Sequence, residues 1–598
     1  MKLSRLYANK ADLFGPIAFT QGLNVVLAEI RLPENKNRDT HNLGKTTLAR
    51  VIDFCLLSGR DANFFLFKHP ALFNDFVFFL EIELLDGSYL TVRRSVAEAT
   101  KISFKRHAQR DKDFSELPED SWDHSALAFD KAKELLDGVL DLRDLNPWAY
   151  RKAVGYLLRA QEDFREVFHL KKFAAAHSDW KPFLAHLLGF NDALLVAHYA
   201  KEDELSKMQS EEEVIKRELG GTIADSSKIE GILLLKQNEA EKKQRLLDAF
   251  DFRQSDKEKT KLVVDDLDVK IGRLNAERYS LAQNKKKIAG SLDDDEILFD
   301  PKSAAELFAE AGVIFAGQIK REFEQLIAFN RAITDERRGY LKEELAEVEA
   351  ALKRVNSELQ EASKRRTETL SFLADADVFK KYKQVTDELV TLKADITSLE
   401  RQRAFLGRLQ ELRTAVRTLG EQKAHLQTEI EADVERQNSD KTSTFSVIRL
   451  LFSEIVEAVI DRKALLSVTP NQKGHLDFKA EILDDSGNTT SADLGFTYRK
   501  LLCVAFDLAL ARAHLAGRYP RFVFHDGVFE SLDDRKKENL LGVIRAYSDA
   551  GIQHVITLID SDLPVQPKGA PPLFDDAEVV LRLHDEGESG RLFRLKAW

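Results

Sequence analysis

A glycine-lysine-threonine motif at residues 44–47 has the residue types that bind phosphate. It follows the apolar run 22–27, which predicts a buried strand, and it opens an amphipathic helix pattern. In such a strand-loop-helix the glycine lets backbone amides approach phosphate and the helix N-terminus attracts the anion. The lysine reaches the β- and γ-phosphates, and the first threonine hydroxyl can hold Mg²⁺. We therefore predict a site for ATP and Mg²⁺ that is formed by Asn42, Gly44, Lys45, Thr46 and Thr47.

The connection before this motif departs from the usual pattern. Asp39 stands where such loops carry their first glycine, and an insertion at roughly 29–40 carries several basic residues. An ordinary strand-loop-helix with a surface lysine is the alternative interpretation of this segment.

A second candidate feature is an acidic residue at the end of another apolar run. Residues 521–525 predict a buried strand, and Asp526 follows it directly. A carboxylate in that position can bind Mg²⁺. Hydrolysis also requires a base that orients water, which Gly527 cannot be, so we assign this role to Glu530, the nearest glutamate. The alternatives for the base are His525, Asp560 and water held by the backbone.

Long stretches without proline separate these two features. Residues 183–300 and 302–469 contain no proline, and apolar residues recur there in steps of three and four among charged ones. Such repeats predict a left-handed coiled coil. In the first stretch the repeating positions are Leu267, Ile271, Leu274, Leu281 and Ile288. In the second they are Leu341, Leu345, Val348, Leu352, Val355, Leu359, Tyr382, Val385, Leu389, Leu392, Ile396, Leu399, Leu409, Leu412, Val416, Leu419, Leu426 and Ile430. We predict an antiparallel hairpin, with two parallel coils in a dimer as the alternative.

The segments on either side of the coiled coil have the patterns of α/β proteins. Residues 76–94 predict a β-hairpin, 554–559 a buried strand, and 577–598 a second hairpin. An α/β segment at each end, with one coil leading out and one leading back, implies that the two ends meet.

The order of these features resembles that of the SMC, RecN and SbcC-like coiled-coil ABC ATPases over nearly the whole chain, and most of all a bacterial YydD-like subgroup. Residues 157–164 look like the Q-loop of that class, 491–511 like its signature segment, and 531–534 like its D-loop. The resemblance implies further nucleotide-site residues, namely Gln161, Gly495 and Asp533. It also implies that Gln161 touches Mg²⁺, together with Thr46 and Asp526, and that Gly495 meets the ATP of a partner head.

The fold that the resemblance implies is an α/β ABC-type ATPase head, assembled from N- and C-terminal halves, with a long antiparallel coiled-coil hairpin inserted between them. The predicted domains are the N-terminal half of the head at 1–197, the outgoing arm at 198–290, a small helical apex at 291–334, the returning arm at 335–440, and the C-terminal half of the head at 441–598.

Two departures from the class bear on the rate of hydrolysis more than on nucleotide binding. Members of the class usually have a glutamate directly after the strand acid, where this chain has Gly527. They also have a histidine after the strand at 554–559, where this chain continues with Asp560.

Composition narrows the compartment and the partners. Two cysteines in 598 residues exclude a disulfide framework and a four-cysteine zinc site within one chain. Without an apolar run of signal or membrane-spanning length, we expect a cytoplasmic protein with no membrane partner. The net charge of −11 confines any contact with DNA to local basic patches, such as 285–287 and 364–366.

Two functions are compatible with these features. In the first, ATP drives two heads into a homodimer and moves the coiled coils, with DNA as the ligand, in bacterial genome maintenance or in defence against phages and mobile elements. In the second, the chain hydrolyses ATP slowly and acts as a sensor or scaffold for a separate effector or nuclease subunit. The full set of loops favours the first, and the missing glutamate and histidine favour the second.

Overall fold

In a computed structural model the chain is a mixed α/β protein with long helices, and this part of the predicted fold class is confirmed. The described residues are 1–32, 43–170, 176–218, 226–249, 257–293, 317–371, 376–484, 486–488, 495–566 and 571–596. The chain forms two compact units. The first contains Met1–Glu202 and Gln422–Trp598, and the second contains Asp203–Glu421.

The strands of the described residues all belong to the first unit. They are β1 (Lys2–Ala8), β2 (Ile17–Ala18), β3 (Leu23–Glu29), β4 (Val77–Glu83), β5 (Tyr89–Ser95), β6 (Lys101–His107), β7 (His124–Ala128), β8 (Leu158–Arg159), β9 (Ala464–Pro470), β10 (Leu476–Ile482), β11 (Phe522–Asp526), β12 (Gln553–Ile559) and β13 (Val579–His584).

The α-helices alternate with these strands and are also the elements that the described residues of the second unit form. They are α1 (Lys45–Cys55), α2 (Phe65–Lys68), α3 (Pro70–Phe73), α4 (Phe129–Leu140), α5 (Tyr150–Leu157), α6 (His177–Leu187), α7 (Asp192–Glu218), α8 (Ser226–Asp248), α9 (Lys257–Asp293), α10 (Gly317–Ser371), α11 (Ala376–Ser439), α12 (Thr444–Ile460), α13 (Phe496–Ala513) and α14 (Asp534–Asp549).

A five-stranded sheet combines strands from both ends of the chain. Its order is β13–β3–β12–β11–β8, and each neighbouring pair is parallel. Strands β3, β11 and β12 are buried along almost their whole length, as expected for parallel strands that are covered on both faces. Their carboxyl ends therefore meet at one edge, which receives residues from both halves of the sequence.

A six-stranded sheet is the other large sheet of this unit, with the order β2–β1–β4–β5–β6–β7 and antiparallel pairing throughout. The hairpin of β4 and β5 corresponds to the one predicted at 76–94. Strands β9 and β10 form a separate two-stranded sheet.

The prediction of a hairpin at 577–598 is wrong. Strand β13 pairs in parallel with β3, and the chain then passes through a short 3₁₀ turn at Glu588–Gly590. The Asp585 carboxylate accepts hydrogen bonds from the backbone N–H groups of Arg31 and Leu32. These bonds hold the segment after β13 beside the residues that follow β3. The segment after β13 therefore does not fold back onto β13 as a hairpin would.

Helices of the second unit pair in antiparallel fashion. Ion pairs join Glu212 to Arg413, Lys236 to Asp395, Lys243 to Glu388 and Lys285 to Glu349. In this series the residue number of the first partner increases while that of the second decreases, as it does between antiparallel helices. The other predicted seam residues are half-buried, and the buried ones are Ile271, Leu274, Ile288, Val355, Tyr382, Leu389, Leu392, Leu409, Leu412, Leu419 and Ile430. The described arms are therefore held by an apolar seam with charged pairs beside it.

Several predictions fall partly or wholly on residues outside the described ones. These include Asn42, most of the insertion at roughly 29–40, the first part of the predicted signature segment and much of the predicted apex. The predicted domain boundaries stay a prediction. In the described part of the chain, no helix combines the length and apolar character that crossing a membrane requires.

Candidate functional site

Helix α1 begins at Lys45, immediately after a glycine with a positive φ. Gly44 has φ of 102°, and a Cβ atom at this position would lie 2.7 Å from the Cβ of Leu592. Both the backbone angle and the close approach therefore require glycine here. Among the described residues no side chain caps this helix, and its first turn contains no acidic residue. Its first N–H groups are available to an anion.

The ammonium group of Lys45 is buried and has no partner among the described residues. Its Nζ atom is inaccessible to solvent and has no hydrogen bond to any described residue. Burial lowers the pKa of Lys45, and the nearby carboxylates of Asp526, Glu530 and Asp562 act in the opposite direction. A buried cation without a hydrogen-bond acceptor is unfavourable. A phosphate group would supply the missing acceptor, so the residues present fit a nucleotide.

Asp526 lies at the end of β11 and is fully buried. Its Oδ2 accepts a hydrogen bond of 2.5 Å from the Thr46 hydroxyl, and its Oδ1 accepts one from the Thr557 hydroxyl. The Thr557 hydroxyl in turn accepts from the backbone N–H of Gly527, at 3.0 Å. A hydroxyl and a carboxylate placed together in this way are the oxygen ligands that Mg²⁺ prefers.

Glu530 lies among three groups that hold its carboxylate. Its Oε1 accepts a hydrogen bond of 2.5 Å from the Gln161 amide, and its Oε2 lies 3.2 Å from the Lys500 ammonium. Lys500 is itself buried and also donates to the carbonyl of Gly527, at 2.8 Å. Gln161 and Glu530, predicted from distant parts of the sequence, are therefore in direct contact.

The Glu530 carboxylate occupies the space that a side chain at position 527 would need. Gly527 has φ of 65°, and a Cβ atom built on it would lie 2.5 Å from Glu530 Oε1 and 2.9 Å from Gln161 Nε2. Glu530, three residues further along the chain, thus places a carboxylate where a side chain at position 527 would lie. Gly527 is required because any larger residue would collide with it.

Three residues of the site were missed by sequence reasoning: Lys500, Thr557 and Asp562. Lys500 stands in a helix whose following residues are almost all buried and apolar, and an isolated charge in such a run was the available signal. Thr557 is an ordinary strand residue and carried no signal. Asp562 follows β12, and burial, with Glu530 as the second cause, raises its pKa.

Two residues that we predicted for the site, Asp533 and Gly495, make their hydrogen bonds in the described chain to residues other than Lys45. Asp533 caps α14 by accepting from the backbone N–H of Lys536, at 3.0 Å, and it also pairs with the Lys536 side chain. Gly495 is exposed and precedes α13, where its carbonyl accepts from the N–H of Arg499. In the described part of the chain, Gly495 has no hydrogen bond to the residues around Lys45.

The two alternative bases both have structural partners. His525 is fully buried, with one ring nitrogen 3.0 Å from Asp507 and the other 2.7 Å from His554. Asp507 also accepts two hydrogen bonds of 2.7 Å from buried Arg159. Since both nitrogens of His525 are engaged in this buried network, neither is available to orient water. Asp560 accepts from the backbone N–H of Ile30.

Comparisons with known proteins give one partial family match. A family model described as an uncharacterised protein conserved in bacteria (DUF2326) matches residues 455–597. That span contains Lys500, Asp526 and Glu530 but not Lys45. A search of curated protein sequences found no match.

The chain is also similar to solved structures of Smc heads. One is the Smc head domain with a coiled coil and joint derived from Pyrococcus yayanosii, at 14% identity and a TM-score of 0.34, covering 93% of this chain and 92% of that one. Another is the Smc head domain with an extended coiled coil bound to the C-terminal domain of ScpA derived from Pyrococcus furiosus, at 11% identity and 0.30, covering 94% and 90%.

Proposed function

We propose that the chain is an SMC-like ATPase with an ABC-type head that is assembled from its N- and C-terminal halves. The observation that carries this proposal is the meeting of Lys45, Thr46 and Asp526. At the start of a helix, a buried ammonium with no partner in the described part of the chain lies beside a hydroxyl and a carboxylate that share a hydrogen bond. This combination suits a nucleotide phosphate and its Mg²⁺ ion.

Each residue of the site has a distinct role in this proposal. The first N–H groups of α1 and the Lys45 ammonium bind the phosphates. Thr46 and Asp526 hold Mg²⁺, with Thr557 fixing the orientation of the Asp526 carboxylate. Bound Mg²⁺ would neutralise charge on the phosphate oxygens. Gln161 is the third proposed ligand of Mg²⁺. Its amide nitrogen donates to Glu530, which places its side chain within the same site.

Glu530 is the proposed base that orients the attacking water. Its carboxylate lies where a side chain directly after the strand acid would be, so it compensates for the glycine at 527. Lys500 and Gln161 are positioning residues, since each contacts one oxygen of that carboxylate. A positioned base of this kind contributes about 10²–10⁴-fold to a reaction rate.

The proposal places two chains in a homodimer when ATP is bound. The exposed Gly495 of one chain then meets the ATP of the other, which accounts for its lack of contact with Lys45 of its own chain. DNA is the proposed ligand of this dimer, and a separate effector or nuclease subunit is a further partner. We place the protein in the cytoplasm, because both cysteines are free and buried.

The basic patches on the arms differ in their availability to DNA. Arg366 is buried, 2.7 Å from Asp268 and 2.8 Å from Asp387, so it serves the packing of the arms. Lys285 is half-exposed and pairs with Glu349. Lys364 and Arg365, the other members of that patch, are exposed, so contact with DNA on the arms falls to residues 285–287 and 364–365 and not to Arg366.

A slow nucleotide-dependent sensor for a separate effector is the second candidate function. The observation that favours it is that both oxygens of Glu530 are engaged, by Gln161 and by Lys500. A water molecule must therefore share this carboxylate with two donors that already hold it.

Steady-state ATPase assays with and without duplex DNA distinguish the two functions. The ATP-driven machine predicts turnover that DNA stimulates and that is lost in Lys45→Ala. Lys131→Ala, a change at an exposed lysine of α4, serves as the matched control. Turnover that is slow and unaffected by DNA supports the sensor, whereas turnover that persists in Lys45→Ala contradicts both.

A further inference from the structure

Three potential metal ligands that are not part of the candidate nucleotide site converge in the first unit. His198 and Glu202 are four residues apart on α7 and so lie on one face of that helix. His475 comes from the turn between β9 and β10. One ligand atom from each of the three residues lies within 4.8 Å of the others. The closest pair is His475 Nε2 and Glu202 Oε2, at 2.7 Å.

His198 is the member of this cluster whose environment needs an explanation. Its side chain is fully buried, yet neither ring nitrogen has a hydrogen-bond partner among the described residues. Gly474 approaches it so closely that a Cβ atom there would lie 2.8 Å from His198 Nε2. Buried imidazoles without partners are uncommon, because the lost hydrogen bonds to water are not replaced. One ring nitrogen of His198 faces the ligand atoms of Glu202 and His475. No described residue donates a hydrogen bond to the lone pair of that nitrogen.

We propose that His198, Glu202 and His475 bind one Zn²⁺ ion. Two imidazole nitrogens and one carboxylate oxygen are a ligand set that suits zinc, with a water molecule in the fourth position. The ion would occupy the lone pair of His198 and replace the direct contact between His475 and Glu202. This proposal is independent of the proposed ATPase function.

Lys423 allows a test in which the expected change in zinc affinity is opposite to that of a ligand substitution. Its ammonium lies 2.8 Å from Glu202 Oε1, on the oxygen that does not face His475. A lysine ammonium cannot bind a metal, and its charge opposes a cation nearby. Replacing Lys423 by methionine should therefore leave zinc affinity unchanged or increase it, whereas replacing a ligand should reduce it.

The site would join three segments of the first unit that are distant in sequence. It connects the start of α7 with the turn that links β9 and β10, and Lys423 brings in the last part of α11. A bound ion stabilises the folded state that contains its ligands. We therefore expect bound Zn²⁺ to stabilise this part of the protein.

The experiment uses the full chain, freed of metal with a chelator, and Zn²⁺ alone as the probe. Titration against a chromophoric chelator should show one Zn²⁺ ion per chain. His198→Gln and His475→Gln should each weaken binding by about 100-fold or more, since even outer partners of metal ligands contribute about 10- to 100-fold. His425→Gln, at an exposed histidine of α11, is the control and should bind as the unmodified chain does.

Thermal unfolding followed by tryptophan fluorescence gives a second readout, because all four tryptophans belong to the first unit. Zn²⁺ should raise the midpoint of the unmodified chain and of Lys423→Met, but not that of His198→Gln. The proposal is overturned if no stoichiometric Zn²⁺ binding occurs, or if binding is unchanged in a His198→Gln/His475→Gln double variant. Equal loss of binding in Lys423→Met would also overturn it, since the losses would then report local unfolding.

Discussion

Replacing Glu530 by glutamine should slow ATP hydrolysis without weakening ATP binding. The change keeps the length of the side chain and one oxygen that can accept from Gln161, while it removes the base. Lys500 keeps its hydrogen bond to the Gly527 carbonyl, so its buried ammonium is not left without an acceptor. The expected loss of turnover is about 10²–10⁴-fold, or about 2.7–5.5 kcal/mol of transition-state stabilisation.

The assay is steady-state phosphate release together with equilibrium binding of ATP and Mg²⁺. Turnover should fall while the Kd for ATP stays within a few-fold, because Lys45, Thr46 and Asp526 are unaltered. Glu538→Gln, at an exposed position of α14, is the matched control and should retain the unmodified rate.

Unchanged turnover in Glu530→Gln would refute the reasoning from the contact between Glu530 and position 527. A loss of ATP binding that parallels the loss of turnover would refute it as well, since it would mean that Glu530 supports the nucleotide and not the water.

The remaining predictions concern the backbone of the site, the buried histidines and the assembly. Gly527→Ala should reduce turnover but not ATP affinity in the same assays, because φ of 65° costs about 1–2 kcal/mol for alanine and the new methyl displaces Glu530. Burial lowers the pKa of both His525 and His554. The unfolded chain therefore takes up protons below about pH 6.5 while the folded pair does not, and the free energy of unfolding should decrease as the pH falls below that value. Urea unfolding followed by tryptophan fluorescence should show this slope reduced in His554→Gln, by up to about 1.4 kcal/mol per pH unit. ATP should raise the mass measured by light scattering, most clearly in Glu530→Gln, and a mass independent of ATP would contradict head dimerisation.

Residues that are close in the sequence, or that follow an apolar run, could be proposed for the site from the sequence. Lys45 and Thr46 share one motif, and Asp526 ends a recognisable strand. Their meeting depends on the parallel pairing of β3, β12 and β11, which places the ends of these strands at one edge. The class resemblance implied that arrangement, whereas periodicity alone did not determine strand order.

Contacts made through packing could not be obtained in this way. Lys500 reaches Glu530 because α13 packs beside β11, and nothing in the local sequence specifies which face of that helix meets the strand. The hairpin predicted at 577–598 fails for a related reason. Alternating apolar residues indicate a strand, but they do not say whether its partner is the next segment or, as for β13, one more than 500 residues earlier.

Binding of ATP to the Lys45→Ala variant, measured by calorimetry in the presence of Mg²⁺, tests the central claim most directly. One charge-assisted hydrogen bond to phosphate contributes about 1.5–3 kcal/mol, so its loss should weaken binding roughly 10- to 150-fold. Lys131→Ala should bind as the unmodified chain does, and Asp526→Asn should remove the dependence on Mg²⁺. An ATP affinity in Lys45→Ala equal to that of the unmodified chain would contradict the assignment of this site to nucleotide.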